Sequence, residues 1–166
     1  TKSDTPKVAG QAEEKCGIGG AVPAIDAERN IAMYRSLTGA MREVLVASAH
    51  DCSDGGLAVT LAECCIGISA GCEVDITMIL AADAELDHWG ALFGESLGRI
   101  LVSIIPENQS QFEAAMAGHS ATLIGMVNQD DNDNFTIIAN GEEILVSQVG
   151  ELRSAWQGTL DGGQPE

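Results

Sequence analysis

Positive charge is scarce in this 166-residue chain: 8 Lys and Arg stand against 25 Asp and Glu, giving a formal net charge of -17. Such an excess repels phosphate backbones and anionic headgroups, which argues against nucleic acid and membrane surfaces as partners. Long apolar runs are missing as well. No stretch of about 18 uncharged apolar residues is present to cross a bilayer, and no charged, apolar, small-residue leader opens the sequence. There is no C-x-x-C pair, so neither a zinc ribbon nor a thioredoxin-type motif is written here. The five cysteines, Cys16, Cys52, Cys64, Cys65 and Cys72, are odd in number and irregular in spacing. They read as reduced thiols of a cytoplasmic protein, three of them in or beside one apolar stretch. His50 and Cys52 could share a metal or form a nucleophile pair, but two ligands make no metal site and no third group orients the pair.

What is present is an ordinary globular composition, with 45% hydrophobic residues, which excludes wholesale disorder. The length fits one domain, or one plus a short appendage. Such a chain buries roughly two thirds of its unfolded surface, so a core needs no disulfide or metal. The start at Thr1 rather than Met is read as the mark of a piece of something longer.

Residues 1–22 carry glycines among charges without periodicity and are expected to be a linker or the remnant of a preceding segment. The domain proper is expected over 23–160, with a loose tail over 161–166. Asp26 is a candidate N-cap. Ile31, Tyr34, Leu37, Met41, Val44 and Leu45 then mark one apolar face of a helix running to about Ser48. A polar loop follows from Ser48 to Gly56. Leu57, Leu61, Cys64, Cys65 and Ile68 define a second helix that is apolar on most sides, with Gly71 as its stop. Val74, Ile76, Met78 and Leu80 alternate like a strand. A short helix is expected around Leu86 to Phe93, a central strand from Ile100 to Ile105, and a helix between Glu107 and Ala117. Leu123 to Val127 reads as a strand. Asn140-Gly141 joins Phe135–Ala139 and Glu142–Val146 as a hairpin. Val149, Leu152 and Trp156 mark a final helix. Helices and strands mix without strict alternation, so the fold class is α+β or a layered α/β sandwich, a mixed sheet flanked by helices.

Two loops have chemical potential. Asp51-Cys52-Ser53-Asp54-Gly55-Gly56 opens the second helix. A helix N-terminus carries unpaired N–H groups and partial positive charge, so it takes anions, and paired glycines allow a close approach to the backbone. Asp51 and Asp54 repel a bare phosphate but suit one that arrives with Mg2+, which favours one or two carboxylates beside phosphate oxygens and water. The plain alternative is that Asp54 caps the helix and the glycines only make the turn. In Phe93-Gly94-Glu95-Ser96-Leu97-Gly98-Arg99, Ser96 and Arg99 could hold a phosphate; otherwise Glu95 pairs with Arg99 in a solvated turn. Asp130-Asp131-Asn132-Asp133-Asn134 begins like a calcium loop, but Phe135 stands where that loop needs Gly and Gly141 where it needs Glu. It is read as a solvated loop. His88 and His119 stand alone as surface or helix-end residues.

The same residues carry a family resemblance. Ser48 to Val59 with Leu61-Ala62-Glu63, then Leu92-Phe93-Gly94-Glu95-Ser96 before a strand, resemble the signatures of phosphoribosylformylglycinamidine synthase. Asn140-Gly141-Glu142 and Val149 to Leu160 resemble its closing segment. The resemblance implies a C-terminal domain of the aminoimidazole ribonucleotide synthetase-like superfamily, of mixed α/β, three-layer type. It implies a part in the ATP-dependent amidation of formylglycinamide ribonucleotide, a carbon–nitrogen ligation using glutamine-derived ammonia in purine biosynthesis. The alternatives are a domain of a related ATP-dependent synthetase, or a non-catalytic nucleotide-phosphate-binding module.

Carried over by position, Asp51, Ser53, Asp54, Gly55 and Gly56 border a nucleotide phosphate, with Asp54 as the Mg2+ contact. Gly94, Glu95 and Ser96 lie near a phosphate of nucleotide or substrate. The implied cofactors are ATP and Mg2+. The implied partners are the remaining synthetase domains of the parent chain, a glutaminase domain or subunit, and a small accessory subunit. No catalytic residue falls within this piece, and alone it is expected to be inactive.

Overall fold

A computed structural model describes residues 25–128 and 133–160. The segments 1–22 and 161–166, Cys16, and the Asp130–Asn132 part of the acidic loop lie outside the described residues.

Helix α1 spans Ala27–Arg42, and Asp26 caps it by accepting the Arg29 N–H at 3.0 Å. The helix ends earlier than the expected Ser48. At Val44 the backbone enters the left-handed region, φ 59°, and the Leu45 N–H returns to the Ala40 carbonyl. The inward face also differs from the expected one. Leu37 and Ala40 are buried and Met33 packs beside them, whereas Ile31, Tyr34 and Met41 face outward. The helix has two apolar stripes, and among the described residues only the inward one joins a core.

Ser48–Asp51, expected as loop, is strand β1. It pairs antiparallel with β3, Ile100–Ser103, from Ser48 opposite Ser103 to Asp51 opposite Ile100. The Ile100 run is therefore not a central strand: β3 is half-buried, and among the described residues its sheet holds two strands. Helix α2, Gly56–Ile68, buries Leu57, Ala58, Thr60, Leu61 and Cys65. Its one buried polar side chain, Thr60, donates to the Gly56 carbonyl at 2.9 Å. Ser69 ends it in the left-handed conformation, φ 55°. Gly71, the expected stop, is needed instead for a close approach, since a Cβ there would strike the Asn134 backbone.

Strand β2 covers only Cys72–Asp75. The alternation through Met78 and Leu80 proves to be a helix, α3, Thr77–Ala82. Asp75 causes the switch: its carboxylate accepts the Thr77 N–H at 2.8 Å and the Thr77 hydroxyl at 2.5 Å, starting a helical turn. Helix α4 is His88–Phe93, with Asp87 capping through the Gly90 N–H. A 3-10 turn, Pro106–Asn108, leads into α5, Gln109–Ala115. Strand β4 is Gly125–Val127, β5 Asn134–Ala139 and β6 Glu142–Gln148, followed by α6, Val149–Leu160. The Asn140-Gly141 hairpin forms as expected, both residues at positive φ.

The main sheet runs β4-β2-β5-β6, with β2 and β5 parallel and the other pairs antiparallel. This is the mixed sheet with helices that the sequence implies. The larger core lies between this sheet, α2 and α4, around Phe135, Ile76, Leu92 and Ile137. A smaller core joins α1, α5 and β3. The described cysteines are free thiols. Cys72 is pushed well above the usual thiol range, first by its hydrogen bond with Cys65 and then by burial.

Candidate phosphate-loop site

The two glycine loops meet at the start of α2. The β1–β3 ladder is extended by one bond, Cys52 N–H to the Arg99 carbonyl at 2.9 Å. The chain then turns, and the Gly56 N–H closes on the Ser53 carbonyl at 3.0 Å. Gly55 and Gly56 hold φ 80° and 64°, a region costing an L-residue about 1–2 kcal/mol. Gly56 is buried under the second loop. A Cβ on it would lie 2.7 Å from the Leu92 carbonyl oxygen and 2.8 Å from that of Gly94. Its near neighbour is thus the chain's own backbone.

The Gly55 N–H donates to Glu95 Oε1 at 2.9 Å, joining residues 40 apart in sequence. Asp54 does not cap α2; Gly55 occupies that position with no side-chain cap bond. The expected Glu95–Arg99 pair does not form either. The half-buried Arg99 guanidinium donates to the carbonyls of Gly94, at 3.1 Å, and Ala91, at 3.0 Å. The last carbonyls of a helix lack intrahelical donors, and a guanidinium fork satisfies two at once. Arg99 therefore fixes the end of α4 while Glu95 is left to engage Gly55. Ser96 sits half-buried just beyond.

Asp51, Asp54 and Glu95 are all exposed. Asp51 accepts a hydrogen bond from the Ser53 hydroxyl, and that bond, with a backbone bond and nearby His50, holds its carboxyl below the usual range. His50 does not turn toward Cys52 chemistry: its Nε2 lies 3.5 Å from Glu63 Oε2, and Cys52 packs against the larger core. Among the described residues no three His, Cys, Asp or Glu side chains gather into a metal-binding group. A cation here would need ligands from its own cargo, and an exposed carboxylate such as Asp54 fits a Mg2+ whose other ligands are phosphate oxygens and water.

Elsewhere, His119 shares a 2.9 Å hydrogen bond with Ser36, and His88 tilts against the exposed Trp89 with ring centres 4.7 Å apart. Neither joins the loops. The Glu95–Gly55 contact was missed by sequence reasoning. Each loop has a local signal, but nothing local says that they touch.

The family model described as AIR synthase related protein, C-terminal domain, matches residues 4–138. Phosphoribosylformylglycinamidine synthase subunit PurL of Thermobifida fusca is 40% identical over 146 residues, which cover 86% of this chain and 17% of that protein. The chain thus spans about a sixth of that relative's length. Among solved structures, Thermotoga maritima PurL complexed with FGAR superposes with a TM-score of 0.66 at 18% identity, over 74% of this chain and 20% of that one. PurL from the same organism complexed with ATP gives 0.65 at 18% identity, over 72% and 21%. At that identity the likeness establishes the fold.

Proposed function

The chain belongs to the family of AIR synthase related C-terminal domains, and on that premise we propose that it is the C-terminal domain of a phosphoribosylformylglycinamidine synthase. In this reading it contributes to the ATP-dependent conversion of formylglycinamide ribonucleotide to the amidine. ATP phosphorylates the amide oxygen, and ammonia released from glutamine displaces the phosphate. The domain supplies no catalytic residue of its own. It works with the remaining synthetase domains, a glutaminase and a small accessory subunit, in purine biosynthesis in the cytoplasm. No helix among the described residues is long and apolar enough to cross a membrane. The outward α1 stripe of Ile31, Tyr34 and Met41 is the proposed contact for a neighbouring synthetase domain.

The observation that carries the reading is the junction of the two loops. The Gly55–Glu95 bond and the Gly56 contact with the end of α4 bring both family-like motifs into one rim. There Asp51, Ser53, Asp54 and Gly55 border a nucleotide phosphate, while the buried Gly56, expected beside the phosphate, instead joins the two loops from behind. Gly94, Glu95 and Ser96 form the facing edge. Asp54 would hold a Mg2+ that arrives with the nucleotide and offsets the repulsion between phosphate and three carboxylates.

Calorimetric titration of the chain with ATP, with and without Mg2+, tests this. Binding that needs Mg2+ and weakens about tenfold or more in Asp54→Ala, with unchanged thermal unfolding, is the expected result. Equal binding by Asp54→Ala would remove the metal role. Turnover by the chain alone would overturn its standing as a non-catalytic part.

A further inference from the structure

A second candidate site lies between the two cores, behind the glycine loops, which lend it Cys52, Leu97, Gly98 and Arg99. A cavity of about 680 Å³ opens there, within the 300–1,000 Å³ typical of small-molecule sites. Its apolar walls come from Met33 and Leu37 on α1, Ile100 and Val102 on β3, and Phe112 and Met116 on α5. Its polar lining includes Arg29, Asn30, Gln109, His119 and Ser120.

The charge placement is selective. The described residues hold five arginines and no lysine, and two of the five, Arg29 and Arg99, line this cavity. Arg99 is committed to the Ala91 and Gly94 carbonyls. The Arg29 guanidinium has a neutral partner, the Ser120 hydroxyl at 2.5 Å, and the ion pairs among the described residues do not include it. In a chain of net charge -17, a guanidinium left to a hydroxyl at the edge of an apolar space is suited to an anion. Two acids share the walls, Asp26 and Glu113. Asp26 accepts the Arg29 N–H and Glu113 accepts from the Gln109 amide, and two carboxylates at the walls disfavour a polyanion.

We propose that this cavity binds a small amphipathic anion: an apolar or planar body between α1, β3 and α5, with one carboxylate, sulfonate or phosphate monoester on Arg29 and Ser120. A nucleoside triphosphate carries too much charge for it. The proposal goes beyond the function above and is independent of it.

Two fluorescent probes of nearly the same shape test the inference on the full chain. Anilinonaphthalene sulfonate carries one negative charge; phenylnaphthylamine carries none. Both bind one-to-one, with the sulfonate about tenfold tighter. Arg29→Ala abolishes that preference and leaves the neutral probe unaffected, and Arg29→Lys restores part of it. Val102→Phe fills the cavity and removes binding of both probes; Met33→Phe does the same from the opposite wall if the first variant unfolds. Mg-ATP does not displace the probes. Equal affinity for both probes, a preference that survives Arg29→Ala, binding that survives filling in a folded variant, or displacement by Mg-ATP would each overturn the proposal.

Discussion

The larger core closes around Phe135, Ile76, Leu92 and Ile137, each no more than 1% exposed, whereas the smaller one rests on Leu37, Ala40, Leu45, Phe112 and Met116 and shares its walls with a cavity. The glycine loops hang on the first: α2 and α4, which carry them, both bury side chains there. A phosphate rim needs fixed backbone positions, and a dense core supplies them. The smaller core borders the cavity proposed to take an additional ligand. Packing quality and chemical role are thus divided between two regions of one chain.

A matched pair of truncations breaks this comparison most directly. Phe135→Ala opens a dry void in the larger core and should cost about 3–5 kcal/mol. Phe112→Ala removes the same atoms beside a space that is already open, so its loss should fall near 1.5–3 kcal/mol. Urea unfolding of both variants reads the difference. Equal losses would mean that the smaller core is as tightly closed as the larger.

Two glycines sharpen the contrast at the next scale. Gly56→Ala meets both a left-handed φ and carbonyl oxygens under 3 Å away, and should cost about 2–4 kcal/mol. Gly39, inside α1, has nothing within 4 Å of the place an added methyl would occupy, so Gly39→Ala should stabilise by about 0.5–1 kcal/mol through helix propensity. Thermal unfolding of the two variants should move in opposite directions.

What could be read from sequence follows the same division between local and distant causes. The Asp26 cap and the Asn140-Gly141 hairpin are decided within four residues, and both stand as expected. Strand β1 is polar and becomes a strand only by pairing with residues about fifty positions later. The Val74 to Leu80 alternation suits a strand, yet one Asx-type contact from Asp75 turns its second half into a helix. The α1 residues were recognisable as apolar, but which stripe faces inward depends on where α5 and β3 lie. Likewise the two loops of the candidate site each carried a pattern, while the Glu95–Gly55 bond that joins them, and the exclusion of Arg99 from an ion pair, are tertiary facts.

The smallest expected effect concerns the charge of the rim. Asp51 is held below the ordinary carboxyl value of 3.8, first by the Ser53 hydroxyl, then by a backbone bond and His50. A depressed folded value means that the unfolded chain binds the proton more readily. The stabilising contribution is therefore fully present above pH 3.8 and is lost as the pH falls through the lower folded value. The group is exposed, so the effect on stability is slight, but it is resolvable site by site. An NMR titration of the Asp51 carboxyl should give a midpoint below 3.8 in the native chain. In Ser53→Ala the midpoint should climb back toward that value, because the largest cause of the shift has gone. An unchanged midpoint would show that the backbone bond and His50 set the charge, and that Ser53 is free to serve a ligand. A restored one would show that the Ser53 hydroxyl is committed to the Asp51 carboxylate in the free chain.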